Sequence, residues 1–136
     1  MIDLSPPLPA PTAESLPFWQ AARQGRLVLP RCNVCDEGYF YYPRATCPNC
    51  LSPDLAWEEL SGRATLFTYT VAQTPTHPGF AQGDPLIIAI VELAEGPRMS
   101  TNILDCSPDK LEIGMPLTAV FEPVDDDIAL IKFRPG

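Results

Sequence analysis

Histidine, long apolar runs and basic side chains are scarce in this sequence, and each scarcity argues against a class of protein. The only histidine, His77, has no known activating signature around it. No apolar run approaches the roughly 20 residues that a membrane helix requires. The N-terminus has neither the basic patch nor the apolar run of a secretory signal. The sequence therefore predicts a cytoplasmic protein without a membrane span.

The charge balance argues against a nucleic-acid partner. The chain has 9 Lys and Arg against 17 Asp and Glu, a net charge of −8. Residues 1–60 carry 4 basic and 7 acidic side chains, and residues 61–136 carry 5 and 10. Because nucleic-acid binders use basic surface to displace counterions from phosphates, neither half of the chain suits that role.

Signatures of a self-sufficient enzyme are also missing. The glycines form no phosphate-binding loop, and acidic residues stand singly or in turns such as 125–127. A nucleophilic pair of Cys106 and His77 is conceivable, but as a lone cysteine Cys106 is expected to be a small, partly buried packing residue. We expect the chain not to be an enzyme by itself.

Cysteine is the residue type whose spacing carries a clear signal. The segment "CNVCDEGYFYYPRATCPNC" contains two Cys-x-x-Cys pairs, formed by Cys32, Cys35, Cys47 and Cys50. Each tight turn presents two thiolates to one ion, and four thiolates in a tetrahedron suit Zn²⁺; iron uses the same ligands and stays open. With four cysteines bound, no position remains for water or substrate, so the metal is predicted to be structural.

The residues around the cysteines predict a helix and a zinc ribbon over 15–60, after a flexible leader at 1–14. Ser15 is the candidate cap and Gly25 the candidate end of a helix over 15–25. Its apolar face includes Phe18 and Trp19, with Arg23 near its end. That face either packs on the chain's own domain or docks on a partner. Strands are predicted at 26–32, 38–43 and 55–60.

From residue 61 the pattern predicts an OB-fold barrel of five strands. These strands are expected at 62–73, 85–93, 99–104, 115–124 and 128–135, with one helical turn in 107–114. The run "PLIIAIVEL" predicts a strand buried on both faces. The fold class is therefore mostly β, with an N-terminal helix and zinc ribbon before the barrel. The long loop at 74–85 either folds back on the barrel or contacts a ligand or partner.

The succession of these motifs resembles a known family. "FWQAARQGRLVLPRC", the ribbon cysteines, "SGRATLFTYTV", "HPGF", "VELAEGPRMSTNI" and "IGMPLTAVFE" resemble proteins with a rubredoxin-like zinc ribbon and an acyl-CoA-associated OB fold, long catalogued as a domain of unknown function. The resemblance covers roughly residues 15–136. Similar proteins are accessory subunits or fused domains of thiolase-superfamily enzymes, including steroid side-chain aldolases.

The resemblance implies a partner more than a reaction. It implies zinc at the four cysteines, a hetero-oligomer with a thiolase-like subunit, and a docking helix with Phe18, Trp19 and Arg23. It also implies that acyl-CoA is bound nearby, which makes His77, Pro78, Gly79 and Phe80 candidates for the partner or acyl-CoA face. The catalytic groups are expected on the partner.

Two other functions remain open at this point. A single-stranded nucleic-acid-binding module is consistent with an OB fold and a ribbon, and Tyr39, Phe40, Tyr41 and Tyr42 are then the stacking residues. A small acyl-CoA enzyme acting alone would use His77 as acid or base.

Overall fold

A computed structural model describes residues 8–35, 38–72 and 86–136. These residues contain one α-helix, one 3₁₀ turn at Pro108–Lys110 and mostly β structure, as the sequence predicts. The elements are α1 (Leu16–Arg23), β1 (Leu27–Cys32), β2 (Leu55–Leu60), β3 (Arg63–Ala72), β4 (Leu86–Leu93), β5 (Arg98–Asn102), β6 (Pro116–Pro123) and β7 (Ala129–Pro135). Within these ranges, none of the helical segments has the length and apolar character that a bilayer crossing demands.

Helix α1 ends as its sequence predicts but begins differently. Gly25 has φ +78°, and the N–H groups of Gly25 and Arg26 donate to the carbonyls of Ala22 and Ala21, at 3.0 and 2.9 Å. This is the Schellman pattern, in which a glycine takes the left-handed position. Ser15 makes no side-chain cap. Its buried Oγ instead accepts a 2.9 Å hydrogen bond from the Thr12 N–H, which ties the helix to the segment before it.

The ribbon consists of β1, β2 and the cysteine-containing segment that joins them. Strands β1 and β2 pair antiparallel from Leu27↔Leu60 to Cys32↔Leu55. The strand predicted at 38–43 is wrong, because the structure has only an isolated bridge there, Arg31↔Tyr39. The rings of Tyr41 and Tyr42 both turn toward Phe18, with centroid separations of 6.0 Å each, so these residues do not alternate along a strand.

The remaining five strands form the predicted OB-fold barrel. Their order is β5-β4-β3-β6-β7, and all neighbours are antiparallel. The barrel nearly closes between its two edge strands, where the Leu104 N–H donates to the Phe133 carbonyl at 2.8 Å and Thr101 Oγ1 donates to the Ile131 carbonyl at 2.9 Å. The 3₁₀ turn connects the third and fourth barrel strands, where the helical turn was expected.

One apolar cluster runs through helix, ribbon and barrel. It includes Phe18 from α1, Leu29 from β1 and Phe133 from β7, each no more than 2% exposed. Helix α1 contacts β1, β6 and β7, so it packs on both parts of the molecule. The division at residues 60 and 61 stays a prediction, and the apolar cluster extends across it.

Strand β4 differs from its prediction in a way that matters below. Its side chains alternate between buried and exposed positions, and Ile88 and Ile90 are 44% and 38% exposed. The prediction that both faces are buried is therefore wrong. One face of β4 points into the barrel, but among the described residues no element covers the other face.

Candidate metal centre

The fold brings the four predicted ligands together. The Sγ atoms of Cys32, Cys35, Cys47 and Cys50 all lie within 4.8 Å of one another. Two of the separations are 3.5 Å, between Cys32 and Cys50, and 3.6 Å, between Cys35 and Cys47. Four sulfurs at the Zn–S distance of about 2.3 Å from a common tetrahedral centre are separated by about 3.8 Å. The observed spacing therefore fits one tetrahedral metal ion.

Backbone N–H groups surround the sulfurs on both Cys-x-x-Cys turns. The N–H groups of Val34 and Cys35 donate to Cys32 Sγ at 3.3 and 3.4 Å. The Asn49 N–H donates to Cys47 Sγ at 3.4 Å, and Asn49 Nδ2 donates to Cys35 Sγ at 3.7 Å. Such donors stabilise thiolates and fix their orientation, which is the role of the outer shell around a metal.

The two turns are tied to the ribbon strands by further hydrogen bonds. Asn33 donates from its backbone to the Asp54 carbonyl at 2.9 Å and from Nδ2 to Asp54 Oδ1 at 3.0 Å. The Cys47 N–H donates to the Ser52 carbonyl at 2.9 Å. Because Asp54 and Ser52 lead into β2, the β1–β2 pair sets the distance between the two turns.

The electrostatics of the cluster call for a cation. A hydrogen bond from the Ser52 backbone lowers the pKa of the Cys50 thiol, but desolvation and the three neighbouring cysteines outweigh it and raise that pKa to about 12. Four neighbouring thiols resist ionisation because each new negative charge repels the others. A divalent ion reverses this effect and deprotonates coordinating thiols. The donor set thus fits Zn²⁺ and leaves no ligand position open.

The structure favours one of the two roles left open for Phe18 and Trp19. They are 2% and 9% exposed and belong to the chain's own core, which leaves little of either ring for a partner, and their docking role stays a prediction. The two rings meet edge to face at 5.0 Å, and Trp19 Nε1 donates to the Tyr42 hydroxyl at 2.9 Å. They are buried because the segment between the cysteine pairs folds over α1. Arg23 is exposed, and its Nε donates to the Asp125 carbonyl at 3.0 Å.

The same packing engages the tyrosines that would stack on bases. Burial raises the pKa of Tyr41, although a hydrogen bond with Ser100 on β5 partly opposes it. The Tyr41 and Tyr42 rings meet edge to face at 5.4 Å. The Tyr39 hydroxyl donates to Glu58 on β2, and this hydrogen bond is the main cause that raises the pKa of Tyr39. Tyr41 and Tyr42 hold the ribbon to the barrel and the helix, whereas Tyr39 is bound within the ribbon.

Other predicted residues fall outside this arrangement. Residues 77–80, the "HPGF" candidates, lie outside the described residues. Cys106 is half-buried, as expected, and its Sγ contacts the Ser107 carbonyl at 3.5 Å. It borders a cavity of about 460 Å³ together with Lys132. Lys132 Nζ is paired with Glu122 at 3.2 Å.

Sequence reasoning missed the uncovered face of β4, for which the apolar run itself was the only signal.

The fold and the cysteine cluster together define a protein with a metal-binding ribbon joined to an OB fold. Family models for the ChsH2 rubredoxin-like zinc ribbon domain and the ChsH2 C-terminal OB-fold domain match residues 19–56 and 57–122. The chain belongs to this family, which also includes proteins described by the name DUF35. The two matches meet inside β2.

Similar proteins have been named in several organisms. The chain is 39% identical over 130 residues to a probable enoyl-CoA hydratase alpha subunit of Thermomonospora curvata, covering 96% of this chain but only 40% of that relative. It is 38% identical over 103 residues to a DUF35 domain-containing scaffold protein of Methanocaldococcus jannaschii, covering 74% of this chain and 71% of that protein.

A solved structure extends the likeness to three dimensions. A chain of the Ltp2-ChsH2(DUF35) aldolase superimposes with a TM-score of 0.82 at 38% identity, over 94% of this chain and 98% of that one. The match therefore covers α1, the ribbon and the barrel together.

Proposed function

We propose that this chain is a non-catalytic, zinc-binding accessory subunit that docks on a thiolase-superfamily enzyme and supports its assembly and acyl-CoA binding. The observation that carries the proposal is the likeness to a chain of the Ltp2-ChsH2(DUF35) aldolase, which spans nearly the whole molecule. The name of the T. curvata relative, an enoyl-CoA hydratase subunit, supports a role in acyl-CoA metabolism. A steroid side chain as the acyl group stays a prediction.

The metal has a structural role in this proposal. When bound by Cys32, Cys35, Cys47 and Cys50, Zn²⁺ supplies a cross-link between the two turns and no open coordination position. The segment between the cysteine pairs carries Tyr41 and Tyr42 onto α1. Metal binding therefore stabilises the position of α1 on the barrel as well as the ribbon itself.

The catalytic groups are assigned to the partner. Among residues 8–35, 38–72 and 86–136, the four cysteines are the one group of three or more metal-ligating side chains, and their coordination sphere is closed. Lys132, beside Cys106 in the cavity, is already paired with Glu122. The role of residues 77–80 at the partner or acyl-CoA face stays a prediction, which His77→Ala tests. Lost turnover with unchanged assembly would favour acid–base catalysis by His77, whereas weakened assembly would favour a contact.

Co-purification tests the proposed function. We expect the tagged chain, expressed with a thiolase-superfamily protein from the same organism, to elute from a sizing column as one complex containing zinc. Cys47→Ser, which removes a buried ligand, should abolish zinc content and weaken the complex, while the exposed Ile113→Ala should change neither. If the wild-type chain elutes alone, the proposal fails.

A filter-binding assay at low salt distinguishes the proposed function from single-stranded nucleic-acid binding. We expect no salt-sensitive binding to single-stranded DNA or RNA, because the chain has a net charge of −8 and Tyr41 is engaged in packing. Tight binding that weakens steeply with added salt would favour the alternative instead.

A further inference from the structure

The outer face of the barrel carries an apolar strip on strands β3 and β4. We define the apolar strip as Phe67, Ile88 and Ile90, which are 41%, 44% and 38% exposed. In the sheet register, Thr70 lies opposite Ile88 and Thr68 opposite Ile90. On the other side of β4, Ile88 pairs with Asn102 and Ile90 with Ser100. The two isoleucines therefore lie next to each other, in the middle of a surface of small polar residues.

Phe67 on β3 extends the strip, because its ring reaches over β4 toward β5. The pairing of β3 with β4 shifts between Leu66 and Thr68, so Phe67 sits at an irregularity of the strand. The Arg98 guanidinium on β5 lies 3.8 Å from the centre of the Phe67 ring, although β4 separates the two strands. Ring and guanidinium must therefore meet above β4. Since Arg98 is paired in register with Glu92, two residues after Ile90, this contact borders the isoleucines.

The exposure of this strip is unusual for an antiparallel sheet. A sheet with one face in the core presents polar side chains on the other face, in clean alternation. Here the alternation of apolar and polar side chains fails, because both faces of β4 carry isoleucine and other apolar residues. This is why the sequence predicted burial on both faces. Contiguous exposed apolar surface on a sheet marks an interaction site more often than scattered exposed residues do.

The charges around the strip point to the kind of partner. Arg98 and Glu92 form an ion pair at 3.2 Å. Arg63 lies on the same strand as Phe67 and is exposed, and its guanidinium has no ion-pair partner among the described residues. Glu95 neighbours Arg63 in the turn after β4, but its Oε2 accepts a 2.9 Å hydrogen bond from the Ser61 N–H, so Arg63 is available to pair with a partner. An aromatic and aliphatic centre with arginine at the border is the composition of a protein interface, and it complements an apolar surface bordered by carboxylates.

We propose that the apolar strip is the surface by which this chain contacts its thiolase-superfamily partner subunit. This inference rests on the proposed function and specifies which face takes part. Ile88 and Ile90 supply the apolar contact. Arg63 pairs with a carboxylate of the partner, and Arg98 holds the Phe67 ring in place. A strand face of the OB fold is also where this fold commonly binds its ligands.

The test measures the affinity of single variants for the co-expressed partner. Ile88→Glu and Ile90→Glu each place an acidic side chain in the strip, and we expect the dissociation constant to rise at least tenfold. The matched control is Ile113→Glu, the same substitution at an isoleucine that is 63% exposed and outside the strip, which should change it less than twofold. Arg63→Glu should weaken binding several-fold and reduce its dependence on salt.

Folding is checked separately from binding. Each variant should retain its zinc content and its thermal midpoint, and Ile90→Thr provides a milder change that keeps a β-branched residue in the strand. Hydrogen exchange of residues 86–92 should slow when the partner binds the wild-type chain.

The outcomes distinguish the surface from the function. Wild-type affinity in well-folded Ile88→Glu and Ile90→Glu overturns the proposed surface but leaves the partner in place. No binding by the wild-type chain overturns the proposed function itself. If the chain alone sediments as a dimer that Ile90→Glu dissociates, the strip is a contact between two copies instead, and the inference is wrong.

Discussion

Replacing Phe18 by alanine tests whether this ring belongs to the core or to a docking surface. The side chain is 2% exposed and contacts Trp19, Tyr41 and Tyr42, with ring centroids 5.0 to 6.0 Å away. The substitution removes a buried aromatic ring at the junction of helix, ribbon and barrel, and the surrounding rings come from segments far apart in sequence. They therefore cannot easily collapse into the space that is left.

The size of the effect follows from this burial. Phe→Ala substitutions in protein cores lower the free energy of unfolding by about 3–5 kcal/mol, which combines lost transfer free energy and the cavity. Because three edge-to-face or tilted ring contacts are lost as well, we expect about 4 kcal/mol here. For a chain of this length that loss corresponds to a fall in Tm of about 15 °C.

Urea denaturation of the free chain, with zinc in slight excess, measures the change. Tryptophan fluorescence follows the helix and the ribbon through Trp19 and Trp57, and far-UV circular dichroism follows the barrel. The control is Leu16→Ala on the same helix: its side chain is 42% exposed, so the loss should be below about 1 kcal/mol.

A docking role for Phe18 predicts a different result. In that case Phe18→Ala would leave the free chain as stable as Leu16→Ala does, and would lower only the affinity for the partner. A loss of less than about 1 kcal/mol in the free chain would therefore refute the assignment of Phe18 to the core.

Three further changes follow from the ribbon and its contacts. Removing the metal with a chelator should unfold the ribbon and weaken the complex, while the barrel keeps its β-sheet circular dichroism and its apolar strip, because the cysteines all lie in the ribbon; an unchanged affinity after verified metal loss would contradict a role of the ribbon in assembly. Leu51→Gly should raise the free energy of unfolding by up to about 1 kcal/mol, because Leu51 has φ +65° and is 72% exposed, so little packing is lost. A lower stability would show that the Leu51 side chain contributes contacts that its exposure does not suggest. Folding raises the pKa of Tyr41. The contribution of Tyr41 to the free energy of unfolding should therefore be constant below the unfolded pKa near 10 and should fall as the pH rises through the folded pKa. Tyr41→Phe should remove this part of the loss of stability at alkaline pH in denaturation curves. An identical alkaline slope in both proteins would contradict the assignment.

Several features of the molecule were predictable because they depend on neighbouring residues. Two Cys-x-x-Cys pairs predict a four-thiolate site because each pair forms its own turn, and the β1–β2 pair then sets the distance between the turns. Gly25 ends α1 because it adopts the left-handed backbone conformation, which depends only on the residue itself. Alternation along β3 and the turn at Pro108–Lys110 likewise reflect local preferences, so the five barrel strands and their order of appearance followed from the sequence.

The errors concern residues whose role depends on distant partners. Residues 38–43 are rich in aromatic side chains and predict a strand, but the rings of Tyr41 and Tyr42 pack on Phe18, more than 20 positions earlier. Packing across that distance overrode the local β preference, which is a weak and context-dependent effect.

The sequence by itself determined the four-cysteine cluster, the fold class and the family, because these follow from short-range spacing and from the order of motifs. Only the tertiary structure decided which apolar residues are inside. Phe18 and Trp19 are buried because the cysteine-bound segment folds over them, whereas Ile88 and Ile90 are exposed because no described element covers the outer face of β4. The exposure of a side chain depends on its own helix or strand and on the element that packs against it, and a sequence pattern describes only the first.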